Sequence, residues 1–404
     1  MSAARDRLAT TQAVTLNEPA RVALLGIGTV GTALLQRLRS LQARGFAREL
    51  SLVYVGNSTV AALLRPSPSA TGVGERVRRS ETNEPPPPSI SSKARYLTTG
   101  NHLHPPFEPL LPHANEDWAV TPSDLNVVAR ALVAPGLSVP RILIDATASD
   151  AVAARHAEWL AQGIHVVTAC KLGQGTALQR WRDIQAACED GRARYGDSAT
   201  VGAGLPLLRT LRALRAGGDR IHAIAGVLSG SLAWLFNHYD GLRPFSGFVR
   251  DARAAGYTEP DPRDDLSGED VRRKLLILAR TAGFELEAGA VSVQSLVPSA
   301  LAGLPVAHVD GALPMLDGPL RAQFAEAWKR GERLRFVARL QAGRAQVGLE
   351  SLPADDPLAG GSGTDNRVAI WSDRYRDQPL VIQGPGAGAE VTAAALLDDV
   401  LALL

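Results

Sequence analysis

Two rhythms of apolar and polar positions run along this chain. "RVALLGIGTVGTALLQRL" (21–38) opens as an apolar run, passes a glycine-rich turn and continues with apolar residues at helical spacing, which predicts a strand, a turn and an amphipathic helix. "LSLVYVGNS" (50–58), "PRILIDATAS" (140–149) and "GIHVVTACK" (163–171) read as further strands, and "DAVAARHAEWLAQ" between the last two has helical spacing. Strands alternating with helices predict an α/β fold built on a doubly wound parallel sheet, with ligands at the carboxyl ends of its strands.

From residue 197 the pattern changes. "DSATVGAGLPLLRTLRAL" predicts a glycine-rich turn and a helix, "RIHAIAGVLSGSLAWLFNHY" a strand, a tight turn and a helix, and "FSGFVRDARAAGYT" a helix stopped at Gly256. "ERLRFVARLQ", "RAQVGLESLP", "RVAIWSD" and "PLVIQG" follow as strands, and "EVTAAALLDDVLALL" as a last helix. Residues 65–112 keep neither rhythm. Their prolines, "EPPPPS" among them, predict an irregular excursion, and the histidines of "NHLHPPFEPLLPH" are assigned no chemistry.

Composition narrows the function classes. The 404 residues are 45% apolar and 21% charged, with a formal net charge of +2 and both signs interspersed, which offers no basic stripe for nucleic acid. No apolar run approaches the roughly 18 residues of a membrane span, and the first 19 residues read as a polar tail without the apolar core of a signal peptide. Cys170 and Cys188 stand in no metal-ligand spacing, which fits a reducing, cytoplasmic setting. Lysine is scarce: Lys93, Lys171, Lys274 and Lys329 are the four among 43 basic residues. An arginine keeps its proton at ordinary pH whereas a lysine can be made to release one, so each lysine here is a candidate for a movable proton.

Three stretches carry candidate chemistry. "GIGTVG" places Gly26, Gly28 and Gly31 in dinucleotide-binding spacing, with Ile27, Thr29 and Val30 between them. The second strand ends in Asn57, without an acid for an NAD ribose or an arginine for a 2′-phosphate, which leaves NAD and NADP both open. "VVTACK" puts Lys171 past the carboxyl end of a strand, where an ammonium can meet an anionic group; a snorkelling surface lysine is the alternative. In "GYTEPDPRDDLSGEDVRRK" (256–274), Ser267 is predicted as the N-cap of a helix starting at Gly268, with Asp270 at the third position of a capping box. Helix initiation then accounts for Glu269 and Asp270, and Asp270 with Lys274 is an i, i+4 pair. Glu259, Asp261, Asp264 and Asp265 precede that helix, in a loop stiffened by prolines, and suit a cationic substrate.

"GYTEPDPRDDLSGEDVRRKLLILAR", with "VGAGLP", "GVLSGSLAWLFN" and "GPGAGAEVTA", resembles homoserine dehydrogenase, especially the form fused to aspartate kinase, over roughly 20–60 and 140–404. The resemblance implies a Rossmann-like dinucleotide-binding domain at 20–196, an α+β catalytic and dimerisation domain at 197–365, and a return to the first domain over 366–404. It implies reduction of L-aspartate 4-semialdehyde to L-homoserine with NADPH or NADH, the branch step toward threonine, methionine and isoleucine, by a homodimer. Lys274 matches the family's proton donor and Lys171 its second active-site lysine, near cofactor and substrate. Glu259, Asp265, Asp270, Gly230 and Ser231 match substrate contacts, Thr147 and Gly388 cofactor contacts, and the carbonyls of Val201, Ala203 and Leu205 a sodium site.

The chain departs from the family pattern at Cys170, where asparagine is usual, at Ser198, where many members have a sodium-site glutamate, and over 65–112. These departures motivate an alternative: a catalytically impaired or regulatory homoserine- or nucleotide-binding protein on the same scaffold. A dehydrogenase acting on another amino-acid-linked substrate fits the acids and lysines less well.

Overall fold

The computed structural model describes residues 18–64, 118–133, 136 and 138–404. The N-terminal tail up to residue 17 and the proline-rich stretch with its histidines lie outside the described residues. Among the described residues, thirteen strands form two sheets. The first contains β1 (Ala20–Leu25), β2 (Leu50–Gly56), β3 (Val60–Leu64), β4 (Trp118–Pro122), β5 (Arg141–Asp145), β6 (His165–Thr168) and β7 (Tyr195–Gly196), in the order β4-β3-β2-β1-β5-β6-β7. β2, β1, β5, β6 and β7 run parallel, while β3 and β4 extend the edge antiparallel.

Side chains alternate across a strand, so both faces of a covered sheet must be apolar. β1 shows this directly. Val22 and Leu24 pack with Leu34, Leu35 and Leu38 of the Thr29–Ala43 helix, while Ala23 and Leu25 face Val128, Leu132, Trp159 and Leu160 on the other side. The chain order reverses direction between β1 and β5, and this switch point opens a crevice at their carboxyl ends.

The second sheet contains β8 (Ile221–Val227), β9 (Val291–Val293), β10 (Arg333–Gln341), β11 (Arg344–Leu352), β12 (Asp365–Ser372) and β13 (Leu380–Pro385), ordered β13-β12-β8-β10-β11-β9. The helices Leu207–Ala216, Gly230–His238, Phe245–Ala254 and Glu269–Thr281 contribute a large share of the main core on its covered face, alongside the strands and the later helices. Gly256, at φ +73, follows the third of these helices as its predicted stop.

Three expectations need correction. The return to the first domain does not begin at 366: β12 and β13 hydrogen-bond within the second sheet, and the Ala389–Leu401 helix returns, packing Ala393, Leu396, Leu397 and Val400 into the core around β1. "DAVAARHAEWLAQ" forms two short helices, Asp150–Ala153 and His156–Ala161.

Ser267 does not cap the lysine-bearing helix. The supposed loop before it contains a short helix, Pro262–Leu266, capped by Asp261, and Gly268 joins the two helices at φ +78. Glycine adopts that left-handed conformation without steric cost, and a Cβ there would fall 2.9 Å from the ring of buried Phe336. Ser267 still accepts the Glu269 N–H at 3.2 Å, but the Asp270 carboxylate is released from capping.

Candidate active site

The glycine turn is shaped to receive a ligand. Gly26 has φ +90, and a Cβ on it would lie 2.7 Å from the carbonyl oxygen of Ala146; one on Gly31 would lie 1.9 Å from the carbonyl oxygen of Gly26. Both glycines are therefore required for β1, the helix and β5 to approach. Gly28, the N-cap residue, has nothing within 4 Å of its Cβ position and leaves the helix terminus bare. Unpaired N–H groups there, at Thr29, Val30 and Gly31, suit a pyrophosphate. Ile27 forms the turn between them and its carbonyl accepts the Thr32 hydroxyl. Gly31→Ala is expected to abolish measurable dinucleotide binding by titration calorimetry and to lower the melting temperature, since the added methyl carbon and the Gly26 carbonyl oxygen cannot share that space.

Beside this turn, Asp145 is fully buried at the end of β5. Its Oδ1 accepts the amide and hydroxyl of Thr147, at 2.9 and 2.6 Å. Its Oδ2 accepts the Thr168 hydroxyl at 3.2 Å and lies 3.0 Å from Nε2 of His156, whose other ring nitrogen meets Tyr195. The Thr168 oxygen in turn accepts the Cys170 amide at 2.8 Å. One carboxylate thus fixes Thr147 on one strand end and the approach to Lys171 on the next. Cys170 itself is buried, and burial pushes its thiol up to about 12. Its backbone amide makes the anchoring bond to Thr168.

Across the domain junction, Lys274 projects from the Glu269–Thr281 helix and is 8% exposed. Its Nζ donates to the Leu228 carbonyl at 2.7 Å and pairs with Asp270 at 2.8 Å. The other Asp270 oxygen lies 3.4 Å from Nζ of Lys171. Burial raises the Asp270 pKa, but the two ammonium groups outweigh it and hold the carboxyl well below the usual carboxylate range. Two of the three Lys274 donors are committed, which leaves one for a ligand.

The turn between β8 and its following helix joins these lysines to the loop acids. Leu228 holds Lys274, Ser229 caps the Gly230–His238 helix, and the Ser231 hydroxyl donates to Asp265 at 2.6 Å. The second Asp265 oxygen accepts the Glu259 amide at 2.8 Å. Gly230 packs against Thr364, where a Cβ would meet its carbonyl oxygen at 3.3 Å. Burial raises the Asp265 pKa and the Asp270 charge adds to this, partly offset by the Ser231 and Glu259 hydrogen bonds. Glu259 is exposed. A half-buried Asp265 carboxylate next to an exposed Glu259 suits a small cation.

Asp265→Asn can keep both hydrogen bonds, its oxygen facing the Glu259 amide and its nitrogen the serine. A folded pKa above the unfolded one means that ionised Asp265 costs stability at neutral pH, a cost relieved as pH falls through the folded pKa. The variant is therefore expected to melt no lower than the parent at pH 7, by calorimetry, while the substrate KM rises about tenfold or more with the loss of a charged partner.

Gly388 opens the Ala389–Leu401 helix at φ +124, with nothing within 4 Å of its Cβ position. Val391 packs against Gly204, which sets this helix start against the turn carrying Val201, Ala203 and Leu205. Among the described residues the Val201 and Ala203 carbonyls accept no hydrogen bond, whereas the Leu205 carbonyl accepts the Leu207 amide at 2.7 Å. Ser198 is committed, through its amide and hydroxyl, to Asp399.

The sequence reading passed over Thr258, Leu228 and Asp145. The Thr258 hydroxyl, one residue before Glu259, is buried without a partner among the described residues, an orphan that a substrate group can satisfy. Leu228 acts through its backbone, which side-chain chemistry cannot reveal. Asp145 sat in the quoted "DATAS", and an acid ending an apolar strand was its only signal.

Comparison with known proteins converges on one family. The homoserine dehydrogenase family model matches residues 206–401. A homoserine dehydrogenase of Emericella nidulans is 34% identical over 402 residues, covering 96% of this chain and 99% of that protein. Maize chloroplastic bifunctional aspartokinase/homoserine dehydrogenase 2 is 44% identical over 266 residues, and the matched region spans 29% of that protein's length. Among solved structures, a Candida auris protein of unknown function superposes with a TM-score of 0.76 at 30% identity, covering 96% of this chain and 98% of that one. A hyperthermophilic archaeal homoserine dehydrogenase in complex with NADPH gives 0.63 at 18% identity, covering 95% and 97%, a likeness of fold.

Proposed function

Because the chain belongs to the homoserine dehydrogenase family, an NAD(P)-dependent oxidoreductase family, we propose that it reduces L-aspartate 4-semialdehyde to L-homoserine. The observation that carries this reading is the Asp270 carboxylate held between Lys274 and Lys171, where the catalytic helix meets the strand ends of the dinucleotide fold. The glycine cradle fits a dinucleotide: its first and third glycines are sterically required, and the middle one leaves the helix N-terminus open. When bound, that cofactor supplies the hydride.

The remaining chemistry falls to this chain's side chains. Charge develops on the aldehyde oxygen as the carbonyl carbon is reduced, and the uncommitted donor of Lys274 delivers the proton. Lys171 lies across Asp270 and stabilises the same oxygen electrostatically. Glu259 and Asp265 receive the substrate's α-ammonium, and the backbone at Gly230 and Ser231 receives its carboxylate. Asp270 holds the two lysine side chains at one place, 2.8 and 3.4 Å from its oxygens.

We take NADPH as the working reductant. Asn57 spends its side-chain oxygen on the Thr59 and Val60 amides, so β2 ends without a carboxylate to repel a 2′-phosphate. A sodium ion fits the free carbonyls of Val201 and Ala203 and would order the turn beside Gly388. We place the enzyme in the cytoplasm as a homodimer serving threonine, methionine and isoleucine biosynthesis; no helix of the described residues is long and apolar enough to cross a membrane. Light scattering of the purified chain checks the dimer. The function itself is tested by adding L-aspartate 4-semialdehyde and NADPH, with and without sodium: stoichiometric homoserine, seen by chromatography, supports it, and homoserine binding without turnover overturns it.

A further inference from the structure

Six residues beyond Lys274 on the same helix, Arg280 is 1% exposed and forms no ion pair among the described residues. Its guanidinium is instead spent on backbone. Nη1 donates to the Gln174 carbonyl, while Nη2 donates to the carbonyls of Thr176 and Leu286, both at 2.8 Å. Nε also reaches Leu286, at 3.2 Å. Burial lowers its pKa to about 10, against the opposing charge of Glu287, so the group stays cationic at neutral pH.

Gln174 and Thr176 belong to the turn that begins at Lys171. That turn is internally braced: the Lys171 carbonyl accepts the Gly175 amide at 2.7 Å, and the Leu172 carbonyl accepts the Thr176 hydroxyl at 2.7 Å. Gly175 lies against the lysine-bearing helix, where a Cβ would fall 3.0 Å from the Arg273 carbonyl oxygen. The near end of the turn is anchored through Thr168 and the Cys170 amide. The far end meets Arg280.

Burying a guanidinium without a carboxylate is costly, and only a rigid planar fork can serve carbonyls on two separate segments at once. A residue kept merely to fill the junction could be apolar. Resting on the reaction proposed above, we propose that Arg280 is a positioning residue: it clamps the 171–176 turn to the helix carrying Lys274 and so sets the separation of the two lysines that Asp270 bridges.

Arg280→Lys keeps the charge but loses the fork, and a structure of this variant together with its kinetics tests the idea. The crystal structure is expected to show the 171–176 turn shifted away from the helix. The variant's kcat should fall about 10- to 100-fold, with the semialdehyde KM changed by less than about threefold, as for a misplaced catalytic group. In a Lys171→Ala background, followed by single-turnover assay at high enzyme concentration, the same substitution should cost less than about twofold, because its effect passes through Lys171. An unmoved turn, or an Arg280→Lys penalty of equal size in both backgrounds, overturns the proposal. If the unaltered chain makes no homoserine, the reaction itself is refuted and the position of the turn in the Arg280→Lys crystal decides the structural claim alone.

Discussion

Lys274→Arg is expected to lower kcat by about two to four orders of magnitude, the usual worth of a positioned proton donor, while the protein stays folded. The substitution keeps a cation on the same helix, but the guanidinium does not release its proton at working pH. Steady-state assay of homoserine formation, with the melting temperature measured alongside, separates lost chemistry from lost structure. Turnover close to that of the parent would remove the proton from Lys274.

Asp270→Asn should produce the second large effect, through charge. The parent carboxylate lies 2.8 Å from one ammonium and 3.4 Å from the other, and its removal leaves two cations facing each other without a counter-charge. Their mutual repulsion displaces them from the reacting oxygen, and kcat near neutrality is expected to fall about tenfold or more, read by steady-state assay of homoserine formation. Stability follows from the sign of the Asp270 shift. A folded pKa below the unfolded value of about 3.9 stabilises the protein above that value, and the gain is lost as pH falls from about 5 through the folded pKa. The melting temperatures of Asp270→Asn and the parent, measured by calorimetry, should therefore be furthest apart near neutrality and converge in acid.

The parallel strands β1, β2, β5 and β6 of the first sheet were legible because their signals are local, whereas the antiparallel edge strands β3 and β4 and the two-residue β7 went unread. An apolar strand followed by glycines at fixed spacing leaves few other structures, and Gly26 and Gly31 stand where any side chain collides with backbone. The destination of β12 and β13 was not legible, since a period of two announces a strand but not the sheet that receives it. Ser267 misled for a different reason. A capping-box pattern arose where two helices abut, and the left-handed Gly268 between them takes over the start of the second.

The candidate site was readable as a set of residue types and unreadable as an arrangement. Scarcity and position singled out Lys171 and Lys274, and the resemblance attached roles to them. Asp270 looked like an ordinary first-turn acid until the fold carried Lys171 to it from another domain. Arg280 looked like one more arginine in an arginine-rich chain. Its complete burial against the Lys171 turn exists only after the two domains close on each other.

The central claim is that this site moves a hydride to an aldehyde while Lys274 moves the proton. The most direct measurement uses NADPH carrying deuterium at the nicotinamide C4 with L-aspartate 4-semialdehyde, analysed by mass spectrometry of the amino-acid product. The account predicts homoserine carrying one deuterium at C4 when the transferred position is labelled. Unlabelled homoserine from both C4 epimers of the labelled cofactor, or a bound substrate that is never reduced, would contradict it.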